Sequence, residues 1–288
     1  MAENTFAVVI PAYNEDEIIG ECLRRLLDEG DDIDEIIVVD NNSSDRTADI
    51  VRDVAAAHPS VRMVSEPRQG LVYARNTGLD AATSAVIARI DADTVVARGW
   101  ARRLRTFFDT PDGQRFDVVS TLGEFRGLPG RRFQAALNKW NDPFGRNTGR
   151  AQSVSYCFGP SMAFRAETWR RIRTRVAMRR DVFEDVDIAL CVEETGGRCA
   201  LIRDVIVEVS PRRFYTGVAS YSAYAAYLPR TFWLHGRRST ALWLTAALPL
   251  TIGFHAGRLA VLRGIGEPGD GFSIRGMFRA AGPERVRP

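Results

Sequence analysis

The chain has 288 residues, of which 45% are hydrophobic and 26% are charged, and its formal net charge at pH 7 is +3. This composition is that of a globular protein and excludes a disordered or fibrous chain. At this length we expect one large domain, or one domain with a smaller appendage. The charge is unevenly distributed, because residues 1–60 hold 15 acidic and 4 basic side chains whereas residues 97–180 hold 6 and 18. The basic part could attract an anionic ligand or a membrane surface, although an arginine-rich composition accounts for it equally well.

The cysteines and the start of the chain bear on the compartment in which the protein works. The first residues lack a basic region followed by an apolar stretch, so we expect no cleaved signal peptide. No two cysteines are spaced as C-x-x-C and none has a neighbouring histidine suited to zinc, so we expect reduced thiols in a cytoplasmic protein. Basic residues without interleaved aromatic side chains or helix-turn-helix spacing argue against a nucleic-acid partner. The cysteines are Cys22, Cys157, Cys191 and Cys199.

The first ninety residues alternate between strand-like and helix-like segments. Short runs of Val and Ile predict strands, and apolar residues at helical spacing between them predict helices. The runs are continuous, which indicates parallel strands covered by helices on both faces. We therefore predict an α/β fold with a Rossmann-like, mostly parallel sheet. The predicted strands are 6–10, 35–39, 61–64 and 85–90, and the predicted helices are 15–29, 46–57 and 71–82.

The pattern weakens after residue 97. We predict helices over 100–108 and 184–194 and strands near 118–122 and 205–209. A Gly- and Arg-rich loop over 123–132 lies between them, and the segments around 153–164 are mixed. From residue 218 onward the chain is aromatic and apolar, which predicts a helical appendage at the C-terminal end.

Acidic side chains follow two of the predicted strands. Asp91 and Asp93 end the strand 85–90, and Asp40 ends the strand 35–39. In such a sheet, ligands bind beyond the carboxyl ends of the strands. Two carboxylates one residue apart suit a hard divalent cation, and Asp40 could accept a hydrogen bond from a nucleobase or a ribose. The alternative for each is a turn or helix-capping residue.

A second acidic cluster opens the predicted helix 184–194 with Glu184, Asp185 and Asp187. One of these carboxylates could act as a general base toward a hydroxyl group. Acidic residues also collect at helix N-termini because the helix dipole favours negative charge there. Taken alone, the cluster favours this second interpretation.

Taken together, these segments resemble the ordered motifs of glycosyltransferase family 2. The resemblance is specific over residues 6–95, looser over 155–200 and absent after about residue 215. It implies a GT-A fold, a nucleotide-sugar donor carrying UDP, GDP or TDP, a Mg²⁺ or Mn²⁺ ion, and inversion at the anomeric carbon. The matching segments are VVIPAYNE at 8–15, IIVVD at 36–40, SSDRT at 43–47, ARNTG at 74–78, DAD at 91–93 and ED at 184–185.

The resemblance implies a role for each matching residue. Asp185 matches the catalytic base, which removes the proton of the acceptor hydroxyl. Asp93, together with Asp91, matches the ligands of the metal ion, and Asp91 would also contact the ribose or sugar of the donor. The other donor-binding positions are Pro11, Tyr13 and Glu15 at the base and ribose, Asp40 at the nucleoside, and Arg75 near the donor.

The chain departs from the family pattern in two places. The usual Asp-Asp-Gly-Ser reads DNNS at 40–43, which keeps Asp40 but changes its neighbours. The Q-x-x-R-W element of processive members is missing, so we expect transfer of a single sugar. A catalytically inactive sugar-nucleotide-binding protein would share these motifs and stays the alternative. The absence of a lysine-containing phosphate loop and of G-x-G-x-x-G after the first strand argues against a nucleotidyltransferase and a dehydrogenase.

With the resemblance, the chain divides into three parts. Residues 1–215 would form the GT-A domain, with a nucleotide-binding half over 1–95 and an acceptor half over 96–215. Residues 216–263 would form a helical segment that touches the membrane interface or packs on the sheet. Residues 264–288 are rich in Gly, Pro and Arg and are expected to be mobile.

The helical segment contains fourteen consecutive uncharged, mostly apolar residues over 241–254. A membrane span needs about 20 apolar residues, so we do not expect a single transmembrane helix. Trp243 near Arg237 and Arg238 suits a helix that lies in the membrane interface, whereas the same residues could instead pack as a helical subdomain. Our hypothesis is a cytoplasmic enzyme attached peripherally to the inner face of the cell membrane. Its acceptor would be lipid-linked or a cell-envelope glycan precursor.

Overall fold

The computed structural model describes residues 5–126, 151–265 and residue 273. Within them, α-helices lie on both sides of one sheet. The strands are β1 Phe6–Ala12, β2 Glu35–Asp40, β3 Val61–Ser65, β4 Val86–Ile90, β5 Val95–Val96, β6 Val118–Phe125, β7 Gln152–Val154, β8 Ser161–Arg165 and β9 Cys199–Val209. The helices are α1 Ile19–Leu27, α2 Thr47–Ala57, α3 Leu71–Ala81, α4 Trp100–Phe107, α5 Ala166–Ile172, α6 Glu184–Glu194, α7 Val218–Ala225, α8 Tyr227–Leu234 and α9 Arg238–Ile265.

The sheet has a parallel part and a mixed part. Its strand order is β3-β2-β1-β4-β8-β6-β9-β5, and β7 also pairs with β9. Strands β1 to β4 are mutually parallel, as predicted. Strand β8 is antiparallel to both β4 and β6, and β5 and β7 are antiparallel to β9. The predicted α/β class with helices on both faces is confirmed, and the sheet is mixed beyond β4.

The continuous apolar runs are explained by burial on both faces of the sheet. Along β1, Phe6, Val8 and Ile10 face the core beneath α1, α2 and α4, whereas Ala7 and Val9 face the core beneath α3, α5 and α6. All five residues have no exposed surface. Successive residues of a strand point to opposite faces, so a strand buried on both faces needs an apolar residue at every position.

Helix α3 packs unusually close to the sheet at Gly78, the last residue of the ARNTG segment. A Cβ atom at this position would overlap the side chains of Val9 and Val39. Only a glycine lets the helix backbone approach these strands so closely. The close approach holds the second half of α3 against β1 and β2.

Most predicted elements are found within a few residues of their expected bounds. The largest differences are in the second half of the chain, where the predicted strand 205–209 is the end of a longer strand over Cys199–Val209. Residues 123–125 of the predicted Gly- and Arg-rich loop continue strand β6. Residues 127–132 of that loop, and most of the predicted mobile tail over 264–288, lie outside the described residues. Residues 264 and 265, predicted to be mobile, are the end of helix α9. The boundary at residue 215 stays a prediction.

The C-terminal appendage consists of helices α7, α8 and α9. Helix α9 has 28 residues with Pro249 inside it, so the apolar run over 241–254 is part of a longer helix. By length and composition α9 is long and apolar enough to cross a membrane, in contrast to the short segment expected from the sequence. His255 anchors α9: its ring stacks on Tyr221 at a centroid distance of 3.7 Å, and its Nε2 donates to the carbonyl of Thr216 at 2.9 Å.

All four cysteines are buried with free thiols. Burial raises the pKa of Cys191 to about 12, and burial also raises the pKa of the Cys22 thiol. The thiols of Cys22 and Cys191 are therefore protonated at neutral pH and behave as small apolar side chains.

Candidate active site

The loops after β1 and β2 are joined to each other by side-chain hydrogen bonds. Asn14 and Asn42 both have positive φ angles, 52° and 61°, which asparagine tolerates better than most residues. The backbone N–H of Asn14 donates to Ser43 Oγ at 3.1 Å, and its side-chain oxygen accepts from the N–H of Ser44 at 2.8 Å. The N–H of Glu15 donates to Thr47 Oγ1 at 2.7 Å. The two loops therefore form one rigid edge at the carboxyl ends of the strands.

Four of the predicted donor-binding residues lie along this edge. Pro11 pairs with Val39 in the parallel ladder between β1 and β2 and is buried. Tyr13 is partly buried two residues later, and Asp40 accepts from the N–H of Ser43 at 3.3 Å. The structure thus brings Pro11, Tyr13, Glu15 and Asp40 together.

Glu15 has a partner from the far end of the domain. Its carboxylate forms an ion pair with Arg212, at 2.9 Å, in the short 3₁₀ helix that follows β9. The ion pair places Arg212 at the predicted donor edge, and the guanidinium of Arg213 lies over the ring of Tyr224 at 4.2 Å.

The DNNS departure has a structural explanation at Asn41. This side chain is almost fully buried, and its amide nitrogen donates to the carbonyls of Glu66 and Arg68, both at 2.8 Å. Its amide oxygen accepts from the N–H of Gly70 at 2.7 Å. An aspartate here would have no proton for the two carbonyls, so the amide is required to hold the loop before α3. In the same loop, hydrogen bonds from Arg68 lower the pKa of Glu66 to about 2.

The two acidic motifs are linked by one buried guanidinium. Arg89, on β4, is 1% exposed and forms ion pairs with Asp91 at 2.7 Å and with Glu184 at 3.2 Å. It also donates to the carbonyl of Gly159 at 2.5 Å. Asp91 and Glu184 are far apart in the sequence but contact the same terminal nitrogen of Arg89. Asp93, also predicted as a metal ligand, is partly buried two residues after Asp91.

Asp185 is held by backbone groups at the first turn of α6. Its Oδ2 accepts from the N–H of Gly159 at 3.1 Å, and its Oδ1 accepts from the N–H of Val186 at 2.8 Å. Burial and the neighbouring charge of Glu184 raise the pKa of Asp185 to about 6. A Cβ atom on Gly159 would lie 3.0 Å from Asp185 Oδ2 and 2.9 Å from Arg89. The glycine therefore allows the loop to approach both side chains.

Arg75 lies beneath this site and has no exposed surface. Its guanidinium donates to the side chain of Asn76 and, at 2.9 Å, to the carbonyl of Glu184. Burial lowers the pKa of Arg75 to about 10. These contacts support the start of α6, and the expected place of Arg75 near the donor stays a prediction.

Arg89 was not among the residues singled out in the sequence. The signal was available, because an arginine in the middle of the buried strand VIARI needs an anionic partner in the interior. Its identity as the link between the two acidic motifs could not be read from the sequence, since β4 and α6 are far apart along the chain.

Among the described residues, a second group of side chains is of the types that bind metal ions. Ligand atoms of Asp187, Cys191 and His235 all lie within 4.8 Å of one another. His235, however, has a carboxylate partner at each ring nitrogen, Asp187 at 2.9 Å and Glu194 at 2.7 Å. We interpret the group as a hydrogen-bonded cluster.

A cavity of about 320 Å³ lies at the amino ends of the strands, where its lining includes Asp34, Arg62 and Thr83. It is remote from the acidic motifs.

Comparison with known sequences gives a family match over most of the domain. The family model described as Glycosyl transferase family 2 matches residues 7–186. The chain is 34% identical to the glycosyltransferase AglE of Haloferax volcanii over 139 residues, which are 46% of this chain and 45% of that protein. It is 31% identical to the undecaprenyl-phosphate 4-deoxy-4-formamido-L-arabinose transferase of Edwardsiella ictaluri, over 52% of this chain and 46% of that protein. The chain thus spans less than half the length of these relatives.

A solved structure covers most of the chain. The mannosyltransferase PcManGT of Pyrobaculum calidifontis, in complex with GDP-Man and Mn²⁺, superposes with a TM-score of 0.60 at 25% identity. The match covers 89% of this chain and 73% of that one. The sheet described above is therefore of the GT-A type.

Proposed function

Because this chain belongs to glycosyl transferase family 2, we propose that it transfers one sugar from a nucleoside diphosphate sugar to an acceptor hydroxyl, with inversion at the anomeric carbon. The observation that carries the proposal is the buried guanidinium of Arg89, which contacts both Asp91 and Glu184. It brings the carboxylates at the end of β4 and at the start of α6 to one site. Donor binding and proton removal need carboxylates at such neighbouring positions.

The proposed general base is Asp185. Inversion needs a base on the face of the sugar opposite the leaving diphosphate, which removes the acceptor proton as the new C–O bond forms. A pKa raised to about 6 leaves Asp185 ionised at neutral pH and more basic than an ordinary aspartate. The N–H groups of Gly159 and Val186 fix the orientation of the carboxylate. The raised pKa and the fixed orientation of Asp185 argue against the alternative of an inactive sugar-nucleotide-binding protein.

The proposed donor pocket is the edge formed by Pro11, Tyr13, Glu15 and Asp40. Asp40 lies at the carboxyl end of β2, where acidic residues of related sheets contact the nucleoside. The ion pair between Glu15 and Arg212 brings a cation to the same edge, where it suits a diphosphate. The nucleobase and the sugar stay open among UDP, GDP and TDP donors.

The residues at the end of β4 fit a divalent metal ion. Asp91 and Asp93 offer carboxylate oxygens, the donor type that Mg²⁺ and Mn²⁺ prefer. Arg89 engages one oxygen of Asp91, and a carboxylate has a second oxygen to offer. In the related mannosyltransferase, GDP-Man is accompanied by Mn²⁺. When bound, the ion would neutralise charge that develops on the departing diphosphate.

We further propose a lipid-linked acceptor, presented at the inner face of a membrane to a cytoplasmic, peripherally attached enzyme. The appendage exposes large apolar side chains, which we call the apolar surface. Arg237 and Arg238 lie beside it, as expected for contact with an anionic lipid surface. One relative carries undecaprenyl phosphate, a lipid phosphate, in its name. The apolar surface consists of Trp233, Leu242, Trp243, Leu250 and Phe254, which are 52–79% exposed.

A thermal-shift screen tests the donor assignment. The protein is heated with UDP, GDP, TDP and their common sugar conjugates, each with and without Mn²⁺. A ligand at 100 times its dissociation constant stabilises the folded state by about 2.7 kcal/mol. We expect one nucleotide family to raise the melting temperature in a Mn²⁺-dependent way, and Asp93→Asn to lose the metal-dependent part. A folded protein that responds to none of these ligands would contradict the proposed donor site.

A further inference from the structure

Helix α6 carries the proposed base in its first turn, and its start is capped by the appendage. The side chain of Phe183, which precedes the helix, cannot accept a hydrogen bond. Instead, the backbone N–H of Phe183 donates to Thr231 Oγ1 of α8 at 2.9 Å. Thr231 has no exposed surface, and its hydroxyl donates to the carbonyl of Tyr227 at 2.8 Å. The hydroxyl is therefore fixed in the orientation that accepts from Phe183.

One turn after Thr231, His235 makes a second connection to the same helix. Its Nε2 lies 2.9 Å from Asp187 Oδ1 and its Nδ1 lies 2.7 Å from Glu194 Oε1. Asp187 is 1% exposed, and its other oxygen accepts from the N–H of Ala177 at 2.8 Å. A charged imidazolium donates from both nitrogens, so it can bind both carboxylates at once. Hydrogen bonds to Asp187 and Glu194 raise the pKa of His235, which favours this charged form.

Asp185 lies midway between the two connections. Thr231 holds the backbone two residues before it, and His235 holds the side chain two residues after it. One contact comes from α8 and the other from the residue that follows it, both beyond residue 186 where the family match ends. The appendage therefore does more than expose apolar side chains, because its buried polar groups contact the helix that presents the base.

We propose that Thr231 and His235 are positioning residues for the transfer reaction, which hold the first turn of α6 so that the Asp185 carboxylate keeps its orientation. The inference rests on the proposed function, in which Asp185 is the general base. A misplacement of about 1 Å in a reacting group can lower a rate about 10²-fold. Positioning of the base affects the chemical step more than the affinity for the donor, so kcat and KM should respond differently.

The experiment compares four variants of the full chain. Thr231→Val removes the hydroxyl while keeping the shape, and Thr231→Ser restores the hydroxyl. His235→Gln has no charge and carries both N–H donors on a single nitrogen, in place of the two separate ring nitrogens that contact the carboxylates. Arg230→Gln is the matched control, since it removes a partly exposed ion pair with Asp181 from the same helix without touching α6. Turnover is measured with a saturating acceptor and is expressed per nucleotide-binding site, so that misfolded protein does not count.

We expect Thr231→Val and His235→Gln each to lower kcat roughly 10-fold to 100-fold with a donor KM within about twofold of the wild type. Thr231→Ser should recover most of the lost kcat, and Arg230→Gln should stay within about twofold. The inference is overturned if both test variants keep wild-type kcat, if only KM changes, or if Thr231→Ser is as impaired as Thr231→Val. Asp185→Asn separates the two proposals: if it is inactive, such results overturn only the positioning role, whereas wild-type turnover in Asp185→Asn overturns the proposed function.

Discussion

In strands β1 to β4, apolar side chains such as Val8 and Ile37 are fully buried, and carboxylates such as Asp40 and Asp91 lie at the accessible edge. The appendage differs, because some of its polar side chains are buried and part of its surface is apolar. Its threonine and histidine side chains Thr231 and His255 have no exposed surface, whereas Leu250 is 79% exposed. Large apolar surfaces on a monomer mark sites of interaction. The comparison shows that carboxylates lie at the accessible edge of the sheet, whereas large apolar side chains lie on the outer side of the appendage.

The largest effect is expected from a variant that lowers the transfer activity of the sheet domain and leaves the surface of the appendage unchanged. Asp185→Asn should lower transfer about 10³-fold, because a general base typically contributes 10²-fold to 10⁴-fold. Nucleotide binding and membrane binding should be unchanged. The measurement is sugar transfer from a radiolabelled donor, with thermal shift as the binding assay. Asp181→Asn, which removes an ionised carboxylate just before α6, is the control and should keep full activity.

The converse variant tests the apolar surface. Trp243→Glu combined with Leu250→Glu should lower binding to anionic liposomes at least about 10²-fold, since burial of each native side chain contributes roughly 1.5–3 kcal/mol. Transfer to a water-soluble acceptor should persist. Flotation at low salt measures the partitioning. The double variant Ala56→Glu and Ala57→Glu, which adds the same charge on exposed positions of α2, should float like the wild type.

A third test uses pH to report on the base within the sheet domain. The pKa of Asp185 is raised to about 6 and only its ionised form can accept a proton. Activity should therefore fall as the pH falls through about 6, approaching a tenfold loss per pH unit below it. A profile of kcat/KM between pH 5 and 8 measures this. An acidic limb near pH 4 would indicate a base in an ordinary, solvated environment.

The smallest expected effect concerns the junction between the two regions. The pKa of His235 is raised in the folded state, so its contribution to stability is fully present below its unfolded value near 6.5 and is lost as the pH rises through the folded value. His235→Gln should therefore lower the free energy of unfolding by about 1 kcal/mol at pH 6 and by less at pH 9. Urea denaturation at the two pH values measures the difference. An equal loss at both pH values would mean that the charge of His235 does not contribute.

The sequence predicted the first four strands and their helices because each is a local pattern. The Val and Ile runs of β1 to β4 and the amphipathic spacing of α1 are contained in a few residues each. The short strands β5 and β7, of two and three residues, have too little pattern to be recognised. Each of them forms by pairing antiparallel with the long strand β9.

The site residues that belong to sequence motifs could be predicted. The residues whose roles depend on contacts between distant parts of the chain could not. Asp91, Asp93 and Asp185 follow from motif order, whereas Arg89 acquires its meaning only when β4 and α6 are placed together. The contacts of Thr231 and His235 each join residues 48 positions apart along the chain. Ordinary helix composition gives no sign of such pairing, so the role of α8 could be found only in the structure.

The burial of all four cysteines makes the molecule convenient for spectroscopy. Since the native thiols are buried, thiol-labelling reagents will reach them slowly. A cysteine introduced in place of Trp243 or Phe254 would then be labelled selectively by a fluorophore or a spin label. Quenching of that label by lipids carrying quenchers at known depths would test whether the labelled turn of α9 enters a bilayer.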